Sequence, residues 1–200
     1  EPTVAMSERL APHAPGPMGV LFRHARRLRP VLARALIRTG PEAAALARTT
    51  MSVTTLQGSP AHNVIASRAS AAVNLRITVG DSVGTVVEHI RRAVADDSIR
   101  LEVLDANEPS PVSPSSGPAY ELVAGTVAAV FPDAVVTPYV MMAATDARYF
   151  TGLCPHVYRF TPFRMTKAQR ESIHSYDEHL GVDDFLTGVA WYRRLLEDLR

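Results

Sequence analysis

The sequence predicts an α+β chain: a split βαβ sheet without its first strand and helix, followed by a shorter α/β segment that reads as the tail of a larger sheet. Three observations predict it. Apolar and polar residues alternate with period two in three short stretches, helical spacing appears between the second and third of these, and a Pro/Ser-rich break then interrupts every regular pattern before α/β texture resumes.

Residues 1 to about 47 are Pro-punctuated and Arg-rich, with a helical core predicted around Met18 to Ile37 and a turn at Gly40-Pro41. Arg23, Arg26, Arg27, Arg29, Arg34 and Arg38 make the stretch locally basic. Without aromatic interleaving they read as a solvated helix face, and no partner is assigned to them. From Thr49 the texture changes: Met51, Val53 and Thr55 alternate with Ser52 and Thr54, and Val73, Leu75 and Ile77 with Asn74, Arg76 and Thr78, the pattern of half-buried strands. The loop Gly58-Ser59-Pro60-Ala61-His62-Asn63 lies between them. Val83, Val86, Val87, Ile90 and Val94 then recur at helical spacing behind a capping Asp81-Ser82, and Ile99, Leu101 and Val103 form another alternating stretch.

Asn107 to Pro118, NEPSPVSPSSGP, reads as a linker. Beyond it the spacing predicts a helix through Leu122, Val123, Val127 and Val130, an apolar strand over 134–142, a short strand over 156–160, and a closing helix over 183–199. That last helix is expected to turn Phe185, Leu186, Val189, Tyr192, Leu196 and Leu199 inward.

Composition sets bounds on function. An apolar share of 46% against 20% charged residues is enough to bury a core, and no run approaches the roughly 18 apolar residues of a membrane span. With 21 basic and 20 acidic residues the net charge is +1, so neither nucleic acid nor a membrane surface is expected as a partner. A single cysteine, Cys154, excludes an internal disulfide framework and a Cys-based zinc site. Because the first residue is Glu and no secretory segment follows it, the chain is read as a piece of a longer protein. Its compartment is left open, with a cytoplasmic location favoured.

Several residues carry chemistry. His174, just ahead of the closing helix, suits a neutral imidazole ligand oriented by a nearby carboxylate, or a plain helix-entry histidine. Thr145-Asp146-Ala147-Arg148 directly follows an apolar stretch, where open α/β sheets bind ligands; a structural Asp146–Arg148 ion pair is the alternative. Asn63 sits in an irregular loop, and the fork of Arg76 on the polar face of its strand matches a carboxylate, although such residues are usually just solvated. Ser172, His174 and Asp177 are too close in sequence for a triad drawn from separate elements, and Cys154 near His156 reads as a packed thiol. No glycine-rich phosphate loop is present.

Taken in order, Asn63-Val64-Ile65 with Val73-Asn74-Leu75-Arg76-Ile77, Thr145-Asp146-Ala147-Arg148-Tyr149-Phe150, Tyr158-Arg159-Phe160, and Ile173-His174 leading to Asp177-Glu178 resemble the signatures of the co-catalytic zinc metallopeptidases. That family includes carboxypeptidase G, aminoacylase and succinyl-diaminopimelate desuccinylase. Ala47-Arg48-Thr49-Thr50 and the Pro111-Val112-Ser113-Pro114 linker are similar to the carboxypeptidase S and N-acyl amino acid hydrolase branch. The resemblance runs from about residue 42 to the C-terminus and implies a ferredoxin-like lid, which dimerises, over 1–108, and the C-terminal portion of an α/β zinc-peptidase domain over 109–200.

By the same resemblance His174 is a zinc ligand, and Asn63, Arg76 and Thr145 contact substrate, Asn63 in the partner subunit's site. No catalytic residue is expected in the chain itself: the family's His-x-Asp pair and Glu-Glu pair have no match here. The implied activity is zinc-dependent hydrolysis of the amide bond of a peptide C-terminus or an N-acyl amino acid. Two zinc ions per site are implied in the full-length protein, a homodimer is implied through the lid, and this stretch alone is expected to be inactive. Ala66 stands where the family usually has proline, and Ala143 and Ala144 where glycine is usual before Thr-Asp, so the pocket is expected to differ in shape. The alternative reading is a non-catalytic dimerisation or ligand-binding module of ferredoxin-like fold.

Overall fold

A computed structural model describes residues 2–199. Two compact units divide the chain, one made of Glu1–Arg23 with Ser113–Arg200 and the other of His24–Val112. The fold is α+β, and among the described residues its sheet has two strands. None of the described helices is long and apolar enough to cross a membrane.

In the first unit, helix α1 (Pro2–Leu10) passes through a 3-10 turn at Ala11–His13 into α2 (Gly16–Arg23). Val4, Met6 and Ala11 are buried along this hairpin. α2 ends where the expected 18–37 helix should continue. A turn closes on the His24 carbonyl, which accepts the N–H groups of Arg27 and Leu28, both at 2.9 Å. The next helix, α3 (Arg29–Thr39), starts afresh with Pro30 in its first turn. Proline has no N–H to give and its ring clashes with the preceding turn, so it is tolerated at a helix start and breaks a helix interior.

α6 (Pro118–Val130) and α8 (Val182–Asp198) pack together around Val127, Phe131 and Trp191, with Val123, Val130, Val136 and Leu195 around them. Trp191 is 3% exposed, and the Phe160 ring lies 5.0 Å from its indole. Gly188 and Trp191 are the buried residues of α8, so its inner stripe is Gly188-Trp191-Leu195. The expected inward set, Phe185, Leu186, Val189, Tyr192, Leu196 and Leu199, is exposed instead. Both stripes are apolar, and which one faces the core depends on the shape of the partner. Gly188 admits the Phe163 ring, which meets the helix at the point a methyl would occupy and stacks on Phe185 at 6.0 Å.

The linker residues are tied down in this unit. The Ser113 hydroxyl donates to the Val157 carbonyl at 2.9 Å and accepts the Val157 N–H at 3.0 Å, doing for 156–158 what a neighbouring strand would do. Tyr158 donates to the Pro114 carbonyl at 2.9 Å and stands edge-on to Tyr120, whose ring lies 5.1 Å from the Arg9 guanidinium. Burial, with Tyr120 and then Cys154 nearby, pushes the Tyr158 phenol above its ordinary value.

In the second unit, α3 and α4 (Pro41–Ala45) meet at Gly40, whose φ of 148° is the left-handed region the expected turn needs. β1 (Thr50–Gln57) and β2 (Ser70–Arg76) pair antiparallel, from Thr50 opposite Arg76 to Gln57 opposite Ser70. The register shifts between Val53 and Thr55. The extra residue, Thr54, donates its hydroxyl to the Ala72 carbonyl at 3.3 Å. This bulge changes the pleat's phase, so that Met51, Val53 and Leu56, rather than Met51, Val53 and Thr55, share a face with Leu75, Val73 and Ala71. α5 (Val83–Val94) carries the expected Ser82 cap as a full capping box with Thr85, and Glu108 accepts the Val83 N–H at 3.0 Å.

The stretches 99–103, 134–142 and 156–160 are irregular rather than strands. Alternation makes a segment suited to a ladder, but a strand exists only where another strand takes its N–H and C=O groups. Ile99 and Val103 are accordingly exposed.

Gly188→Ala is expected to destabilise the first unit by about 1–3 kcal/mol, because the added methyl has to displace a ring held by stacking. Urea unfolding followed by Trp191 fluorescence measures it.

Candidate functional site

α7 (Lys167–Glu171) is a single short helix closed at its start by a Thr166/Gln169 capping box, and it delivers the chain into the turn that carries His174. The Ser172 hydroxyl returns to the Gln169 carbonyl at 2.9 Å, and the Ser175 N–H to the Ser172 carbonyl at 2.8 Å. Between these, His174 adopts φ +66°. Left-handed backbone costs an L-residue roughly 1–2 kcal/mol and is uncommon outside glycine, with Asn, Asp and His adopting it more often than other side chains. The only other described non-glycine residue there is Ala95, at the C-cap of α5, where helices commonly adopt it. At His174 the conformation is held by a side chain: the Glu178 carboxylate accepts the His174 N–H at 2.9 Å. The imidazole is exposed, and no hydrogen bond to its ring occurs among the described residues.

Thr145 is half-buried, extended at φ −142°, and introduces a 3-10 turn over Asp146–Phe150, where its carbonyl accepts the Arg148 N–H at 3.3 Å. Its Oγ1 is buried without a hydrogen-bond partner. Such an atom forfeits its water without compensation, at about 1–3 kcal/mol. Arg148 donates to the Tyr149 hydroxyl at 2.7 Å and lies 4.8 Å from that ring's centre.

Asn63 and Arg76 belong to the other unit. Asn63 is exposed in the β1–β2 loop, within a turn closed by the Val64 N–H on the Ala61 carbonyl at 3.3 Å and braced by Ser59. Arg76 is the last residue of β2, exposed, on the sheet face it shares with Asn74 and Ala72. Thus His174 and Thr145 lie in one unit and Asn63 and Arg76 in the other.

Among the described residues no group of three or more His, Cys, Asp or Glu side chains is placed to hold a metal ion. A lone imidazole is one corner of a tetrahedral set. An exposed ring without a competing hydrogen bond fits that corner, and among the described residues no set of further ligands stands with it. Cys154, expected to be a packed thiol, is exposed; its sulfur accepts the His156 N–H at 3.4 Å. The strand expected to bury it is irregular. The role of Glu178 at the His174 backbone was not legible from spacing, since a carboxylate four residues away gives no sign of a left-handed turn.

The model of the peptidase family M20/M25/M40 matches residues 13–198. A probable carboxypeptidase S-like 2 of Dictyostelium discoideum is 31% identical over 91% of this chain and 35% of its own length. The human N-fatty-acyl-amino acid synthase/hydrolase PM20D1 is 33% identical over 98% of this chain and 39% of its own length. A putative carboxypeptidase of Saccharomyces cerevisiae is 29% identical over 76% of this chain and 32% of its own. No solved structure matches. The chain therefore spans about a third of the length of these relatives, and it belongs to the peptidase family M20/M25/M40.

Proposed function

We propose that the protein to which this chain belongs is a zinc-dependent amidohydrolase that cleaves the amide bond of an N-acyl amino acid or of a peptide's C-terminal residue. The observation that carries the reading is the exposed His174 imidazole, held on a left-handed backbone, within residues 13–198 that a peptidase family matches. The relatives named as carboxypeptidases and as an N-fatty-acyl-amino acid synthase/hydrolase share one chemistry, an amide beside a free carboxylate.

His174 is one zinc ligand of a two-ion centre, offering a ring nitrogen from a turn that keeps the imidazole in solvent. When bound, zinc would supply Lewis-acid chemistry, polarising a carbonyl and lowering the pKa of water. Arg76 receives the substrate carboxylate, because its planar fork donates two parallel hydrogen bonds. Asn63 donates to a substrate oxygen from the loop of the partner subunit's lid. The Thr145 hydroxyl, buried and without a protein partner, is an atom that a bound substrate can satisfy. The lid over residues 1–108, most of which falls in the unit His24–Val112, is ferredoxin-like and forms a homodimer. Its sheet supports that reading with an apolar face on which Met51, Val53 and Leu56 are 61%, 57% and 76% exposed. Two strands also leave two open edges, which invite pairing.

Three measurements test this reading. The purified 200-residue chain, supplied with zinc, is expected to release no amino acid from N-acyl amino acids or dipeptides above the buffer rate; robust turnover would contradict a centre that needs more than one ligand. His174→Gly is expected to remove the His174 contribution to the chain's zinc response while leaving stability unchanged or raised by up to about 1 kcal/mol, since glycine accepts the left-handed backbone without strain; a clear loss of stability would mark His174 as a structural residue. Analytical ultracentrifugation at high concentration is expected to show a dimer, and a strictly monomeric profile counts against the lid reading.

A further inference from the structure

We propose that α3 and the turn leading into it form a docking face for an anionic phospholipid surface, with Arg27, Arg34 and Arg38 on headgroup phosphates and Leu28, Val31 and Ile37 entering the interface beside them. This face lies wholly in the unit His24–Val112 and is independent of the zinc reading of His174.

From His24 to Pro41 the chain has five arginines and no acidic residue, the next carboxylate being Glu42. The balance of +1 over the whole chain conceals this segregation and does not argue against a local anionic partner. Arg27, Arg34 and Arg38 are exposed, and among the described residues no carboxylate pairs with any of them. Leu32 is buried and marks the inner side of α3. At about 3.6 residues per turn the side turned away carries Arg34 and Arg38, flanked by Val31 and Ile37, all four exposed. Arg34 and Arg38 stand one turn apart, a like-charge pair that weakens a free helix and that an anionic surface relieves.

The apolar residues select the partner. Leu28, Val31 and Ile37 are exposed among the arginines, and such side chains gain nothing from a phosphodiester backbone or an acidic protein loop. At a lipid interface the headgroups offer phosphates to the guanidinium forks while the acyl boundary takes up the apolar groups. Nucleic acid is read by stacking and by amide pairing with bases, and His24 to Pro41 contains no Phe, Tyr, Trp, Asn or Gln.

The test is flotation of the 200-residue chain with vesicles of two compositions, phosphatidylcholine alone and phosphatidylcholine mixed equally with phosphatidylglycerol. The chain is expected to float with the mixed vesicles at low salt, to be released as salt rises, and to ignore phosphatidylcholine alone. The triple variant Arg27→Gln, Arg34→Gln, Arg38→Gln is expected to bind about a hundredfold more weakly, at about fivefold for each basic residue near an anionic surface. The matched triple Arg91→Gln, Arg92→Gln, Arg100→Gln removes the same charge from exposed positions of the same unit and is expected to change binding by about twofold or less. Val31→Ser with Ile37→Ser is expected to weaken binding and leave its salt dependence unchanged. All these positions are exposed, so circular dichroism is expected to match the parent. Arg34→Glu gives Arg38 an opposite charge one turn away, which favours the helix, and is expected to weaken binding about twenty-fivefold through the loss of two charge units.

A parent chain that stays unbound, or that floats equally with both vesicle types, overturns the proposal. So does an equal loss in the two arginine triples, because net charge and not this face then governs binding. Unchanged flotation of the folded Arg34→Glu chain overturns it as well. Duplex DNA is run at the same salt, and binding tighter than to the mixed vesicles, with no effect of Val31→Ser and Ile37→Ser, overturns the lipid assignment in favour of nucleic acid.

Discussion

The contact of α6 with α8 through Val127, Phe131 and Trp191 is the constraint on which the first unit depends. It decides the rotational phase of α8, and through Gly188 it decides where Phe163 and the fully buried Pro162 lie. Those residues stand a few positions ahead of α7 and the His174 turn, so a packing event in the core determines where a surface loop begins. An irregular segment with few hydrogen bonds of its own gains its order from two anchors: aromatic side chains inserted against α8, and Ser113 standing in for a neighbouring strand at Val157. Apolar burial is non-directional, whereas the hydroxyl of Ser113 is not, and the two together locate the segment.

Two features of the same unit are polar and unsatisfied, and they differ in kind. The Trp191 Nε1–H is buried without an acceptor next to an apolar cluster, where the indole's area outweighs the cost of its N–H. The Thr145 Oγ1 is buried at the start of a 3-10 turn, on a residue that itself remains half-exposed, with no comparable apolar gain to offset it. The second is the kind of atom that binding sites leave open, and the first is a by-product of packing. At His174 the pattern is reversed. There the local cost is in the backbone, and an exposed carboxylate offsets it.

The β1–β2 pair shows how a single residue decides which side chains share a face. Without the bulge at Thr54, Leu56 would join Arg76 and Asn74 on the polar face, and Thr55 would sit with Val53. One inserted residue returns Leu56 to the apolar side and keeps Arg76 on a face lined by Asn74, Ala72, Ser52 and Thr50.

By itself the sequence determined the local features: the Ser82 cap of α5, the Gly40-Pro41 turn, the helix through Leu122 to Val130, the closing helix over 183–199, and the resemblance to the peptidase family. Each of these depends on side chains within a few residues of one another, or on a residue type with one conformational meaning. Only the tertiary structure decided which apolar stripe of α8 turns inward, whether the alternating residues 99–103, 134–142 and 156–160 become strands, whether Cys154 is covered, and which face Leu56 takes. Those outcomes depend on a partner surface distant in the chain, and periodicity records only that a segment has an apolar side, not what meets it. The same holds for Glu178: a carboxylate four residues from a histidine is an unremarkable spacing until the backbone between them folds left-handed and brings its N–H within 2.9 Å of the acid.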